Sequence, residues 1–328
     1  MTSPEAQAMS STADTARSTP PPSEVVRDIE WSRAPFIVGS GFCMGTADVV
    51  PGVSGGTMAV ALGIYRQLLA AIASIDVSAV RALLRLRLPE LFARVHWRFL
   101  GMLALGMGLG IGVMVKVVGL PELIQTSPQP VYATFFGLVL ASALILARRI
   151  PTWNAGRAGS LALGAALGFA VVNLVPVSTP ESGLFVFFSG LVAICAMLLP
   201  GISGSFILLI LGKYAYVLGA LSRLDLGVIL PFVAGCAVGV VAFSRVVSWA
   251  MARFHDTVVA GLTGLLLGSL WRIWPYQHLT TKIVREKPRV IAAEPFVPAS
   301  IDLSVVGLCV GAAVAVLLLE RLARTRAA

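Results

Sequence analysis

Along the chain, long apolar runs alternate with short polar or basic stretches. The runs occupy residues 35–50, 53–75, 99–119, 130–149, 158–177, 184–199, 202–221, 228–248, 256–274 and 300–320. Most approach the roughly 20 residues that an α-helix needs to cross a bilayer. The pattern predicts an all-α, polytopic integral membrane protein. The arm at 35–50 would reach only about 24 Å at 1.5 Å per residue, short of a core of roughly 30 Å. It reads most economically with 53–75 as a re-entrant hairpin, although a tilted pair that spans fully also fits. Polar stretches fill the gaps. Residues 1–30, rich in Ser, Thr, Pro and Ala, predict a disordered tail without a signal-peptide core, so the first apolar run is expected to direct insertion. Residues 76–98, with five arginines, predict a short amphipathic helix with Trp97 at the interface. Residues 120–129 predict a loop, and 276–299 a polar loop carrying Lys282, Arg285, Lys287 and Arg289.

Two of the apolar runs are interrupted in the same way. Ala47-Asp-Val-Val-Pro-Gly-Val-Ser-Gly-Gly-Thr57 continues to Leu62-Gly-Ile-Tyr65, and a degraded copy runs from Ala196 to Tyr214. At a constant offset of 149, Pro51 falls on Pro200, Gly52 on Gly201, Ser54 on Ser203, Gly55 on Gly204, Gly63 on Gly212 and Tyr65 on Tyr214. Proline removes a backbone donor and glycine tolerates strained dihedrals, so the first arm should end near Val50. Ser54 is a good N-cap for a second helix, whose first N–H groups, on Ser54, Gly55, Gly56 and Thr57, are expected to be open. A helix N-terminus attracts anions. Inside a membrane, broken helices are tolerated where they line a cavity or are buried in protein, and paired breaks point to a transporter's site. The blander reading is a pair of packing kinks, which the duplication disfavours.

The duplication extends further. Gly106, Gly110 and Lys116 match Gly235, Gly239 and Arg245 at an offset of 129, and Gly137 and Ser142 match Gly264 and Ser269 at 127. Repeat 1 is read as 31–150, with a hairpin at 35–75 and spans at 99–119 and 130–149. Repeat 2 is read as 184–275, with a hairpin at 184–221 and spans at 228–248 and 256–274. The span at 158–177 links them and 300–320 follows as a C-terminal span. One linking span between units of even crossing number inverts the second unit, a common transporter plan.

Composition agrees with a membrane protein: 57% of residues are hydrophobic and 12% charged. The net charge of +9 is no nucleic-acid footprint, because Lys and Arg flank the apolar runs. With the N-terminus cytoplasmic, 15 Lys or Arg fall on inside segments, C-terminus included, and five outside. The positive-inside rule favours that orientation, with the 276–299 loop as its exception. Four cysteines lie in apolar runs and three histidines are scattered, so no disulfide, metal site or cofactor is expected.

The two motifs, with Leu199-Pro-Gly-Ile-Ser-Gly-Ser-Phe206 and Leu211-Gly-Lys-Tyr214 as the second, resemble the signatures of the PopT family of polyprenyl-phosphate transporters. The likeness covers about residues 35–275. It implies a flippase that returns undecaprenyl phosphate, or a related polyprenyl phosphate, from the outer to the inner leaflet of the cytoplasmic membrane. That step recycles the carrier lipid of peptidoglycan and other cell-envelope polymers. In this light Ser54, Gly55, Gly56, Thr57, Ser203, Gly204 and Ser205 are candidate phosphate ligands. Lys116, Arg245, Lys213 and Arg66 are candidate cations, with snorkelling to the interface as the alternative role. Asp48 either pairs with Arg66 or Lys213, caps the next helix, or carries a coupling proton or sodium ion. Coupling would offset about 2.3 kcal/mol per charge per 100 mV for an anion moved inward. Membrane polyprenyl-pyrophosphate phosphatases share a Pro-Gly-x-Ser motif, but neither hairpin here holds a glutamate for acid/base work. A small-anion transporter is the remaining alternative.

Overall fold

The computed structural model describes all residues except 1–30, 51–52, 76–80, 82–84, 88, 91, 93–94, 175–176, 178, 285–286, 301 and 326–328. The expected disordered tail, Pro51, Gly52 and most of the expected amphipathic helix lie outside the described residues.

The chain is mostly helical. Helix α1 (Ala34–Asp48) ends at the first break. Two short helices follow, α2 (Gly55–Ala61) and α3 (Tyr65–Ala73). Helix α4 (Trp97–Gly112) runs into a π-helical turn at Val113–Val117, and α5 (Leu120–Thr126) leads to α6 (Pro128–Arg148). After α7 (Ala155–Val172) and α8 (Gly183–Leu198) comes the second break, with α9 (Gly204–Ile210) and α10 (Tyr214–Arg223). Helices α11 (Leu226–Arg253), α12 (His255–Ser269) and α13 (Leu303–Thr325) complete the helical part. Asn154, Ser182 and Asp225 cap α7, α8 and α11 by accepting hydrogen bonds from first-turn N–H groups. Among the described residues, four helices are long and apolar enough to cross a membrane, or six if each bent pair forms one span.

Three expectations need correction. Residues 120–129 hold α5 rather than a plain loop; Pro121 sits in its first turn, where a missing N–H costs nothing. The stretch at 276–299 is not a structureless loop: Gln277–Val284 (β1) and Lys287–Pro295 (β2) pair antiparallel with an irregularity between Thr280 and Thr281, so the chain is not strictly all-α. Thr280, Thr281, Ile283, Val284, Val290 and Ile291 supply the β-branched bias for strands. Third, each return arm is two helices, bent by 120° between α2 and α3 and by 107° between α9 and α10. Gly63 (φ +76°) and Gly212 (φ +63°) end the first helix of each pair in the left-handed region. The bonds around them match: Ile64 N–H donates to the Ala59 carbonyl and Lys213 N–H to that of Leu208, six-residue closures that terminate a helix.

The helices associate as four close pairs: α1 with α4, α8 with α11, α6 with α13, and α7 with α12. Their seams are made of glycine facing backbone, the contact that small residues permit in membranes. A Cβ at Gly106 would run into the Val38 carbonyl and one at Gly235 into that of Phe187. One at Gly110 would meet Phe42, and one at Gly239 would meet Leu191. Both partners in these contacts are offset by the same intervals as the sequence motifs. Gly137 meets the Cys309 carbonyl of α13 as Gly264 meets the Leu161 carbonyl of α7. Thus the linking and C-terminal helices, which stand outside the repeats by sequence, occupy corresponding places beside α12 and α6.

Candidate functional site

The two breaks meet in the protein interior. Ser54 takes extended dihedrals (φ −122°, ψ 136°) and caps α2 by accepting from Gly56 N–H at 3.2 Å. Its hydroxyl also donates to the Met197 carbonyl at 3.4 Å. Thr57 Oγ1 accepts the Gly201 N–H at 3.0 Å, and the Tyr65 hydroxyl donates to the Leu198 carbonyl at 2.9 Å. All three links run from side chains of the first hairpin to backbone of the second. They satisfy groups that the break at Leu199–Gly201 would otherwise leave buried without partners. Thr57 is fully buried, and Pro200 and Gly201 are buried. Gly201 has φ +90° and sits against Ser269 and Leu266 of α12, which leaves no room for a side chain.

The expectation of open N–H groups fails for the first hairpin. Asp48 Oδ1 accepts the Gly55 N–H at 2.7 Å, Ser54 Oγ takes that of Gly56, and the Ser54 carbonyl takes that of Thr57. A side-chain carboxylate therefore fills the position at the helix start that favours an anion. Of the roles weighed for Asp48, capping is the one this geometry displays. Its Oδ2 is buried without a hydrogen-bond partner among the described residues.

The second hairpin differs at one decisive residue. The position that corresponds to Asp48, at the offset of 149, is Met197. Gly204 lies on Met197 as Gly55 lies on Asp48. With a thioether in place of a carboxylate, the N–H groups of Gly204, Ser205 and Phe206 meet no acceptor among the described residues. The Ser203 and Ser205 hydroxyls bond each other at 2.9 Å, and Ser205 is exposed. The Arg272 guanidinium lies 5.0 Å from the centre of the Phe206 ring. Backbone donors and two hydroxyls thus converge at the start of α9, a donor set suited to an oxyanion, with a guanidinium over the neighbouring Phe206 ring.

The remaining candidates lie elsewhere. Lys213 is 2% exposed, and its ammonium donates to the Thr179 carbonyl at 2.6 Å beside the Tyr216 ring, tying the segment before α8 to the second hairpin. Lys116, in the π-helical turn, and Arg245, on α11, are both exposed. Neither makes an ion pair with a described residue. Arg66 lines a cavity beyond the turn of the first hairpin. Pro51 and Gly52 lie outside the described residues. Arg272 escaped the sequence reading, although it was legible there. Once 15 inside and five outside cations are removed from the 25 Lys and Arg, five embedded ones remain, and Arg272 is the fifth. No group of three His, Cys, Asp or Glu among the described residues has a metal-binding arrangement.

A polyprenyl-phosphate transporter of Vibrio cholerae is 41% identical over 238 residues, covering 73% of this chain and 77% of that protein. A polyprenyl-phosphate transporter of Staphylococcus aureus is 30% identical over 266 residues, covering 74% of this chain and 87% of that one. No solved structure matches. The profile of the VCA0040-like family, described as undecaprenyl phosphate translocase-like, matches residues 44–291, and the chain belongs to that family, one of transporters rather than enzymes.

Proposed function

We propose that this protein moves undecaprenyl phosphate, or a related polyprenyl phosphate, from the outer to the inner leaflet of the cytoplasmic membrane. It would thereby return the carrier lipid for peptidoglycan and other envelope synthesis. The observation that carries the reading is the unequal pair of breaks. The first holds its own carboxylate, and the second offers the same frame with its N–H groups open. A polyprenyl tail is at home in lipid, so only the phosphate needs shelter in transit. Gly204, Ser205 and Phe206 N–H groups, the Ser203 and Ser205 hydroxyls and Arg272 would provide it. The exposed Ser205 leaves that subsite a lateral way to the bilayer. Ser54, Gly55, Gly56 and Thr57 act through the junction, by fixing the second break.

The repeats take opposite orientations in the membrane, with both termini cytoplasmic. This rests on the odd crossing count and the distribution of Lys and Arg. Asp48 carries the coupling cation: its Oδ2 is buried without a hydrogen-bond partner among the described residues, and a proton or sodium ion there would offset the charge of the phosphate. Lys116 and Arg245, matched in the repeats and exposed, draw anionic headgroups toward the protein.

The test is the amount of undecaprenyl phosphate at the outer face of cells lacking this protein and any redundant transporter, read with a reagent specific for that lipid phosphate. Wild type should clear it, and Ser203→Ala/Ser205→Ala and Arg272→Ala should not. Unchanged outer-face lipid on depletion would refute the substrate.

A further inference from the structure

A cavity of about 70 Å³ lies beyond the turn of the first hairpin, bounded by α2, α3, the end of α6, α11 and α12. That is several times the roughly 10–15 Å³ one water molecule needs. Its walls are mainly aliphatic, but Arg66, Arg149 and His255 face it together with Tyr65. Helix α2 separates it from Ser54 by seven residues, about 10 Å at 1.5 Å per residue, so it is a second place and not an extension of the junction. The charges around it are unequally matched. Arg66 is exposed and pairs with no described residue. Arg149 reaches Glu320 only at 3.7 Å, with 37% of its side chain exposed. Asp256, which bonds His255 Nδ1 at 3.0 Å, is held by Arg157 at 2.7 Å. Two guanidiniums thus face the space from different segments of the chain. Gly63 adds no side chain, and a Cβ there would approach the Arg149 guanidinium at 3.7 Å.

We infer that this cavity is a second phosphate-monoester site, in which Arg66 and Arg149 hold the headgroup and the aliphatic wall receives the first carbons of the chain. Two planar guanidiniums on different helices suit the several oxygens of a phosphate monoester. Tyr65 joins the two places, because its ring lines the cavity while its hydroxyl bonds the Leu198 carbonyl at the junction. The inference rests on the transport reading for the choice of ligand.

The full-length protein in nanodiscs would be labelled with a benzophenone-bearing farnesyl monophosphate and the labelled peptides mapped by mass spectrometry. Label within 60–66 and 251–262 should fall about tenfold in Arg66→Gln/Arg149→Gln, while label at 203–206 persists and shows the variant folded. Unlabelled farnesyl phosphate should compete and farnesol should not. Competition by inorganic phosphate at equal concentration would assign the cavity to free phosphate; its failure would assign it to the lipid headgroup. Equal competition by farnesol, or cavity label undiminished in the double variant, would overturn the inference. Label confined to 203–206 would overturn it too and leave the transport reading standing. Label confined to the cavity would count against the junction instead.

Discussion

Replacing Thr57 by valine isolates the junction. The side chain is fully buried, and valine nearly preserves its shape, so packing against α6 and α1 should survive. What disappears is the acceptor that the Gly201 N–H bonds at 3.0 Å. A buried donor stripped of its partner costs about 1–3 kcal/mol. Serine keeps the oxygen and loses one methyl, worth about 0.8 kcal/mol. The order of stability should be wild type, then Thr57→Ser, then Thr57→Val. At roughly 2–4 °C per kcal/mol for a chain approaching this size, valine should lower the melting temperature by several degrees. Intrinsic tryptophan fluorescence of the protein in nanodiscs reads this at a fixed scan rate. Transport should fall in the same order, because Gly201 sets the path into Ser203 and Gly204. If Thr57→Val melts with wild type, or above Thr57→Ser, the hydrogen bond does not hold the two hairpins together and the proposed role of the first hairpin goes with it.

Asp48→Asn keeps an acceptor for Gly55 N–H, so it should fold; transport by it should lose any dependence on pH or sodium, and a variant that responds to both as wild type does would remove Asp48 from coupling. Gly212→Ala forces a side chain into the left-handed region and should cost about 1 kcal/mol, whereas Gly101→Ala, which meets open space on α4, should be neutral or stabilising in the same thermal assay. Gly264→Leu should prevent α12 from closing on α7 and abolish accumulation of folded protein by size-exclusion chromatography; normal yield would show that the Leu161 carbonyl can yield.

The class, the two breaks and the family were legible because each left a chemical mark: apolar runs, Pro-Gly before Ser, and a fixed offset of 149. The bend of each return arm was legible in part. Gly63 and Gly212 were matched as repeat positions, yet only their positive φ shows that they end a helix. What escaped was the difference between the halves. Asp48 and Met197 stand at one offset, but in sequence capping, ion pairing and cation coupling are all open to Asp48, and the bond from Gly55 N–H is what shows it capping its own next helix. The β-hairpin was hidden because charge dominates 276–299 and its β-branched residues are interleaved with it. Pairing of α7 with α12 and of α13 with α6 was hidden because glycine seams name no partner until the chain is folded.

Those seams also decide which parts of the molecule can move. Where a glycine meets a carbonyl, two backbones touch with nothing soft between them, and each such pair of helices behaves as a single stiff beam. Sliding or splaying within a beam would lift many contacts at once. Between α1–α4 and α8–α11, by contrast, the side-chain hydrogen bonds that cross the junction among the described residues are those of Ser54, Thr57 and Tyr65. A transport cycle built on this frame has its joints already marked: the beams keep their internal geometry, and three small fasteners at the centre open and close.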